Sequence, residues 1–438
     1  MKLRHPLLKL LVTFSMTLVL CNQNISAFPT TSFITKKTTD IREIKGEVID
    51  ADTKKPLVFA TLNLLGSNIS SITNTEGKFV LKVPSSLNKG KVLVSFLGYK
   101  SKEITLSQLS KDFNTISLTE SVTELKEISV ISVRDAANLV REVFKNKADN
   151  YLKDPTTMTA FYRESIKRRN RNVMLSEAVV NIYKQPYTNK GRDNIKIYKA
   201  RKSTDYRRLD TVAFKLQGGP FNSLFLDVIK YPEYIFNEFI DQYNFNFDRS
   251  TEINGQPIYV INFAQKKGID DPLYKGELFI EPKHKVLVSA VYSLNITDSK
   301  EASKLFVRKK PRNASVYPKE VVYRVDYKES QGKWHYSYGN AMLKFKIDWD
   351  KKLFNSTYTM NSEMAITDWQ KSTIDTPKRK DFIKSSIILS DETSGFSDPD
   401  FWGDYNIIEP EKNIESAIKK IRKQLERTKA KQGSFSKP

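Results

Sequence analysis

Apolar residues recur in short, evenly spaced runs through the first part of the chain: Val48-Ile49, Leu57 to Leu65, Phe79 to Val83, Val92 to Leu97, Ile104 to Leu106 and Ile116 to Leu118. Turn residues separate them, and this spacing predicts a sandwich of short antiparallel strands. In Lys78-Phe79-Val80-Leu81-Lys82-Val83 the period is two. Phe79, Leu81 and Val83 fall on one face, and the lysines fall on the other. Asn74-Thr75-Glu76-Gly77 precedes that run and places glycine where the turn needs a positive φ. Pro56 stands before the second strand, where a missing N–H does little harm.

The period changes over Asp135 to Lys153. Ala136, Leu139, Val140, Val143, Phe144 and Tyr151 lie near one helical face, Asp135 is placed to cap the start, and Asp154-Pro155 ends the element. From Thr156 the period returns to two, in longer strands. Met158 to Ser165 is expected to pair with Val173 to Tyr183, with the basic cluster Lys167-Arg168-Arg169-Asn170-Arg171 at the hairpin tip. Tyr243 to Glu252 and Pro257 to Ala264 flank Asn254-Gly255, which suits a type I′ turn. Further hairpins are expected at Glu281 to His284 and at Gln331-Gly332, and Leu353 to Ile366 follows as another strand. Val321, Tyr323, Val325 and Tyr327 share a face opposite Arg324, Asp326 and Lys328, which predicts a sheet packed on one side. Long non-strand spans such as Gln217 to Asn237, and a basic helical tail in place of a terminal strand, argue against an outer-membrane barrel. Within the first span, Leu224 to Phe239 reads as a core helix or helical pair, with a plug across a curved sheet as the alternative. Pro410 starts a final helix, packed through Ile414, Ala417, Ile418, Ile421 and Leu425, and the tail after Arg427 reads as frayed.

Composition adds a location and removes one source of stability. Residues 1–27 have the form of a secretory leader. Lys2, Arg4 and Lys9 precede an apolar stretch from Leu10 to Leu20, and Ala27 ends a segment suited to cleavage. Two alternatives stay open. The stretch could remain as an anchor, or Cys21 could be lipidated, although Leu20 is larger than the residue such processing prefers. Cys21 is the single cysteine, so cleavage at Ala27 leaves no thiol and no disulfide, and stability must come from burial. A hydrophobic content of 39% over 438 residues is enough for two cores. The formal net charge is +22. For an exported protein that excess suits an anionic envelope surface or acidic glycan better than nucleic acid, while lysines dispersed over solvated sheet faces are the plainer account.

Four ordered motifs carry a family resemblance. They are Gly46-x-Val48-x-Asp50, Pro56-Leu57-x-x-Ala60-x-Leu62, Thr73-x-x-x-Gly77-x-Phe79 and Val94-Ser95-Phe96-x-Gly98-Tyr99. Together they resemble the carboxypeptidase regulatory-like domain. The resemblance implies a seven-strand, Greek-key, transthyretin-like sandwich that serves as an accessory module without catalytic activity. Leu125 to Ile131 is similar to the exit segment of that module in SusC-type TonB-dependent receptors, but too little chain follows for a plug and barrel. A last edge strand or linker over Glu127 to Val133 is the preferred reading. Phe161-Tyr162-Arg163-Glu164 and Gly218-Gly219-Pro220 resemble an uncharacterised bacterial envelope family that joins this sandwich to a β-rich domain. Tyr274 to Glu281 running into Val286 to Leu294 resembles lipoprotein-carrier half-barrels at the level of fold.

The expected fold is therefore mostly β: the sandwich plus a larger antiparallel sheet with a few helices. The expected boundaries are a leader at 1–27, a flexible lead-in at 28–43, the sandwich at 44–120, and a linker strand and helix at 121–154. The β-rich domain follows at 155–405, with a C-terminal helix and tail at 406–438.

Candidate chemistry is sparse. The histidines are His5, His284 and His335, and none has zinc-peptidase spacing. No Gly-x-Ser-x-Gly elbow occurs. Gln217-Gly218-Gly219-Pro220-Phe221 could cradle an anion but lacks a P-loop ending, so it reads as a turn. Asp391, Glu392, Asp398, Asp400 and Asp404 do not match a calcium loop and read as caps and solvated turns, with Asp398 to Trp402 as an aromatic plug. We therefore expect no catalytic, cofactor-binding or metal residues, no cofactor, and no transmembrane segment beyond the leader. The leading expectation is an exported, non-catalytic envelope module contacting an envelope protein, a glycan or an anionic membrane surface. Its location would be periplasmic, outer-membrane associated or extracellular. A carrier of an apolar ligand and a hydrolase with an unrecognised carboxylate site are the alternatives.

Overall fold

The computed structural model describes residues 40–121, 136–168, 171–204, 216–236, 240–307, 310, 312–350, 355–372, 378–395 and 401–411. The leader, the exit segment at 125–131 and most of the C-terminal helix lie outside the described residues. So do the greater part of the lead-in and the helix-capping Asp135.

Seven strands form the sandwich: β1 (Ile41–Asp50), β2 (Thr61–Leu64), β3 (Ser70–Ile72), β4 (Lys78–Pro84), β5 (Lys91–Ser95), β6 (Lys102–Thr105) and β7 (Asn114–Leu118). They lie in two sheets, β4-β1-β7 and β3-β2-β5-β6. The alternation does what the pattern required: Ile44, Val48, Leu62, Phe79, Leu81, Val92, Val94 and Ile116 meet between the sheets. One expectation is corrected. The sandwich is not wholly antiparallel, because β7 runs parallel to β1, with Val48 opposite Ile116. β1 also begins at Ile41, inside the expected lead-in, because Ile41 to Glu43 extend the ladder with β4. Gly77 has φ +71°, and a Cβ there would lie 2.8 Å from the Val48 carbonyl oxygen, so the turn before β4 requires glycine.

After helices α1 (Ala136–Lys145) and α2 (Lys147–Asn150), one large sheet takes over. Its strands are β8 (Thr156–Arg168), β9 (Arg171–Lys184), β10 (Asn194–Thr204), β11 (Tyr243–Ile253), β12 (Gln256–Gln265), β13 (Tyr274–Glu281), β14 (Val286–Leu294), β15 (Ala314–Ser330), β16 (Lys333–Trp349), β17 (Ser356–Lys371) and the two-residue β18 (Ser394–Gly395). The spatial order is β11-β12-β13-β14-β15-β16-β17-β8-β9-β10-β18. The meander β11 to β17 is thus joined to the hairpins β8 to β10 by the β17–β8 pairing. Asn254 and Gly255 have φ of 51° and 72°, and Gln331 and Gly332 have 54° and 73°, the left-handed pairs that type I′ hairpins need.

One face of this sheet is apolar. Tyr162, Ile182, Tyr292, Tyr323, Phe345 and Met360 pack there beneath α1, α4 (Ser299–Phe306) and the segment 216–236. Leu224 to Phe239 is not the expected helix. After the short α3 (Gly219–Ser223), its described part holds two 3-10 turns, Leu224–Leu226 and Pro232–Tyr234. Asp227 explains the break. Its carboxylate accepts from Tyr187 and Tyr327 at 2.8 and 2.9 Å and pairs with Lys184 at 2.7 Å, pinning the chain to the sheet between the turns.

The other face is covered too, contrary to a sheet packed on one side. The sandwich lies on part of it, through Phe59 against Tyr338 (ring centroids 5.0 Å), Ser70 Oγ donating to Ile366 O (3.0 Å) and Asn68 Nδ2 donating to Trp369 O (2.7 Å). Residues 401–411 lie over another part, as a turn at 401–404 followed by irregular chain. Of the helix expected to start at Pro410, only Pro410 and Glu411 are described, and neither is helical. Asn406 fastens this stretch to the sandwich, exchanging two hydrogen bonds with the Lys82 backbone at 2.7 and 3.1 Å. Beneath this strap Arg163 pairs with Glu177 (2.7 Å) and Glu363 (3.4 Å) and donates to Ile408 O (2.8 Å), while Arg201 pairs with Glu177 at 2.8 Å.

Candidate ligand cleft

The outward faces of two sheets meet without closing where the sandwich rests on the large sheet. The gap is a cleft of about 560 Å³, within the usual size range of small-molecule sites. Its sandwich wall carries Thr61, Asn63 and Ser95 from β2 and β5, with Asn68 and Phe96 from the adjoining loops. Its sheet wall is the outward row of β15, Arg324, Asp326, Lys328 and Ser330, flanked by Ser289 and Trp334. Alternation produces this row: Tyr323, Val325 and Tyr327 take the apolar core, so their neighbours point at the sandwich. β2, β5, β12 and β15 each lie between two neighbours in their sheets, while Ile253 of the edge strand β11 also lines the cleft.

Most charges in the cleft are matched. Arg324 Nε lies 2.8 Å from Asp326 Oδ2, and its guanidinium sits 5.0 Å above the Phe59 ring. Ser289 Oγ donates to Asp326 Oδ1 at 2.6 Å. Glu281 accepts the backbone N–H groups of Lys283 and His284, both at 2.8 Å. Phe59 has φ +66°, a conformation a bulky side chain rarely adopts, and it is held there between Arg324 and Tyr338. Lys328 is different. It is half-buried, and among the described residues its ammonium has no hydrogen bond or ion pair. Burial lowers its pKa to about 8 against the opposing pull of Asp368. Across the ladder stands His335, buried against Trp369 (5.3 Å) and pushed down to about 3 by burial and by Lys328 and Lys184. It is neutral at ordinary pH. The Asn63 Oδ1 on the opposite wall is buried without a partner among the described residues.

The residues singled out in the sequence fall elsewhere. His284 is exposed at the β13–β14 turn, with Nδ1 2.9 Å from Glu281 Oε2. Arg168 and Arg171 close the β8–β9 hairpin, as expected. Gly218, at φ +93°, starts α3 and donates its N–H to Ile387 O at 2.6 Å, so the double glycine is a turn. Trp402 is buried edge-on against Phe161 at 5.4 Å, while Asp398 and Asp400 lie outside the described residues. No three His, Cys, Asp or Glu side chains converge among the described residues. Nor is any described helix long and apolar enough to cross a membrane. Sequence reasoning missed the cleft because its lining comes from five separated stretches, each an ordinary polar strand face.

The sandwich has a relative in sequence. Residues 44–130 match the CarboxypepD_reg-like domain family. The match spans the described sandwich and confirms the resemblance carried by its four motifs. The large sheet lies outside it. No curated protein matches the sequence. Among solved structures, a putative outer membrane lipoprotein-sorting protein domain from Vibrio parahaemolyticus is 14% identical, with 56% of this chain and 96% of that one covered at a TM-score of 0.25. A DUF1329 family protein from Desulfovibrio piger is 9% identical, covers 56% and 95%, and has a TM-score of 0.23. Lipovitellin, described for its lipid–protein interactions, is 9% identical at a TM-score of 0.26, and the match spans 26% of that chain.

Proposed function

We propose that this chain is an exported, non-catalytic binding protein of the cell envelope, with its ligand held between the sandwich and the large sheet. The leader-like start and the CarboxypepD_reg-like sandwich support the envelope and accessory parts of this reading. The observation that carries it is the cleft, which combines half-buried aromatics, Phe96 and Trp334, with hydroxyl and amide side chains on both walls. Apolar surface with a few fixed polar groups is what a small-ligand site requires. A glycan suits this lining best. Sugar rings stack on aromatic faces, and their hydroxyls exchange hydrogen bonds with Asn, Ser and Thr. A peptide is less suited, because β2, β5, β12 and β15, which carry much of the lining, are already paired on both sides.

The competing readings find less support. Glu177 and Glu363 are buried in an arginine network beneath the strap, away from the cleft. Glu164, pushed up to about 7 by burial, accepts from Tyr162, which lines a hole of about 20 Å³, room for about one water. Neither arrangement gives a substrate two opposed carboxylates. The apolar face where a carrier would hold a lipid is packed with Leu224, Phe225, Ile229 and Phe236. Isothermal titration of the full mature chain with soluble envelope oligosaccharides tests the proposal. We expect saturable binding that Phe96→Ala and Trp334→Ala each weaken by about tenfold, the loss of one buried aromatic anchor. Binding indifferent to both changes, or turnover of the glycan, overturns it.

A further inference from the structure

We infer that the cleft takes an acidic saccharide, a hydroxylated ring bearing one anionic group, and that Lys328 is the residue that receives the charge. This rests on the reading of the cleft as a glycan site and names the class of glycan.

Five charged residues line the cleft: Glu281, Arg324, Asp326, Lys328 and Glu329. Arg324 and Asp326 neutralise each other at 2.8 Å. Glu281 is held by the turn that follows it, and Glu329 is exposed. The sandwich wall contributes no charged residue to the lining. Lys328 is left as a half-buried cation with no anion in ion-pairing range among the described residues. Partly buried charge without a partner is costly, and proteins keep it where a partner arrives. Of the groups around it, His335 is neutral, and Asp368, which accepts the Trp369 N–H at 2.8 Å, acts on the ammonium through its charge and not through an ion pair at contact distance. Asn68 stands between Ser330 (3.3 Å) and the Trp369 carbonyl (2.7 Å), so hydroxyl and amide groups flank the ammonium where ring hydroxyls would lie. The chain's net charge of +22 draws anionic ligands from a distance.

The same charge can come from a sugar carboxylate or a sugar phosphate, and the test separates them. The full mature chain is titrated with a short oligouronide, the neutral oligosaccharide of equal length, and the corresponding sugar phosphate, using wild type, Lys328→Met and Lys328→Arg. Hydrogen bonds to charged groups predict that an acidic probe binds about tenfold to a hundredfold more tightly than the neutral one. Lys328→Met should abolish that margin while leaving neutral binding in place, and Lys328→Arg should keep most of it. A margin confined to the oligouronide, or to the sugar phosphate, supports the inference and identifies the anion. Equal binding of acidic and neutral probes in wild type, or a margin that survives Lys328→Met, overturns the inference and leaves the glycan cleft standing. Failure of all three probes to bind wild type overturns the glycan reading itself. Thermal melts of both variants show whether a lost signal is lost folding.

Discussion

Glu164 shows how one side chain can set the pH dependence of the whole molecule. Its carboxyl is fully buried, and Oε2 accepts from the Tyr162 hydroxyl at 2.8 Å. Burial raises its pKa from the usual 4.5 to about 7, because the charged form has lost its water. A raised carboxyl favours the folded state below its unfolded pKa, and that contribution fades as pH climbs from 4.5 through 7. The folded protein binds the proton more tightly, so stability falls as pH rises. The rise corresponds to about 3 kcal/mol at most. Glu164→Gln removes the ionisation and keeps the shape. We expect the variant to match wild type near pH 4.5 and to melt at higher temperature than wild type above pH 8. Parallel pH profiles of the two melting temperatures would sink this account.

At the scale of elements, the segment 216–236 shows what a periodic pattern does and does not determine. Its apolar residues had to be buried, and they are. A helix did not follow, because Asp227 in the middle of the run belongs to a buried cluster with Lys184, Tyr187 and Tyr327, built from strands distant in sequence. The strands were legible for the opposite reason. Alternation and left-handed turn residues, such as Asn254-Gly255, act within a few neighbours. α4 escaped notice between two strands, although Asp298 caps it through the Lys300 N–H at 2.7 Å. The β7–β1 pairing and the cleft escaped because they depend on which strands and which sheets meet, which no local period encodes. The anchoring role of Asp227 is testable by comparison with Asp241, whose pair with Arg141 is solvent-exposed. Asp227→Asn leaves buried Lys184 with Asp193 as its remaining carboxylate and should cost about 3 kcal/mol in urea unfolding. Asp241→Asn should cost about 0.5 kcal/mol or less. Similar losses in the two variants would show that the cluster is not what holds the segment.

For the whole molecule, the arrangement of sandwich and sheet depends on a piece of chain that neither contains. Among the described residues, direct contacts between the two include hydrogen bonds and rings, such as Phe59 on Tyr338 and the Gly98 N–H on Glu252 O (2.8 Å), and apolar packing of Ile72 and Leu97 on the sheet. The strap at 401–411 adds a second line of attachment. Asn406 pairs with Lys82 of β4, the Asn74 Nδ2 donates to Glu409 O at 2.9 Å, and Glu411 pairs with Lys167 of β8 at 3.4 Å. Underneath, Trp402 and Ile408 close over Phe161 and Val179, and the Arg163 network loses a carbonyl acceptor if the strap leaves. A buried guanidinium without its full set of acceptors is destabilising by about 1–3 kcal/mol, so strap removal both weakens the sheet and frees the sandwich. A chain ending at Gly395 should therefore unfold in two separated transitions by calorimetry and show a larger radius of gyration. A chain ending at Glu411 should behave as wild type. Since the cleft walls come from both parts, the glycan binding proposed for it should also weaken by about tenfold or more in the shorter chain, as a preorganised site does when its walls are set free. A single transition with unchanged dimensions in the shorter chain would mean that the contacts around Phe59 and Asn68 hold the two parts together by themselves.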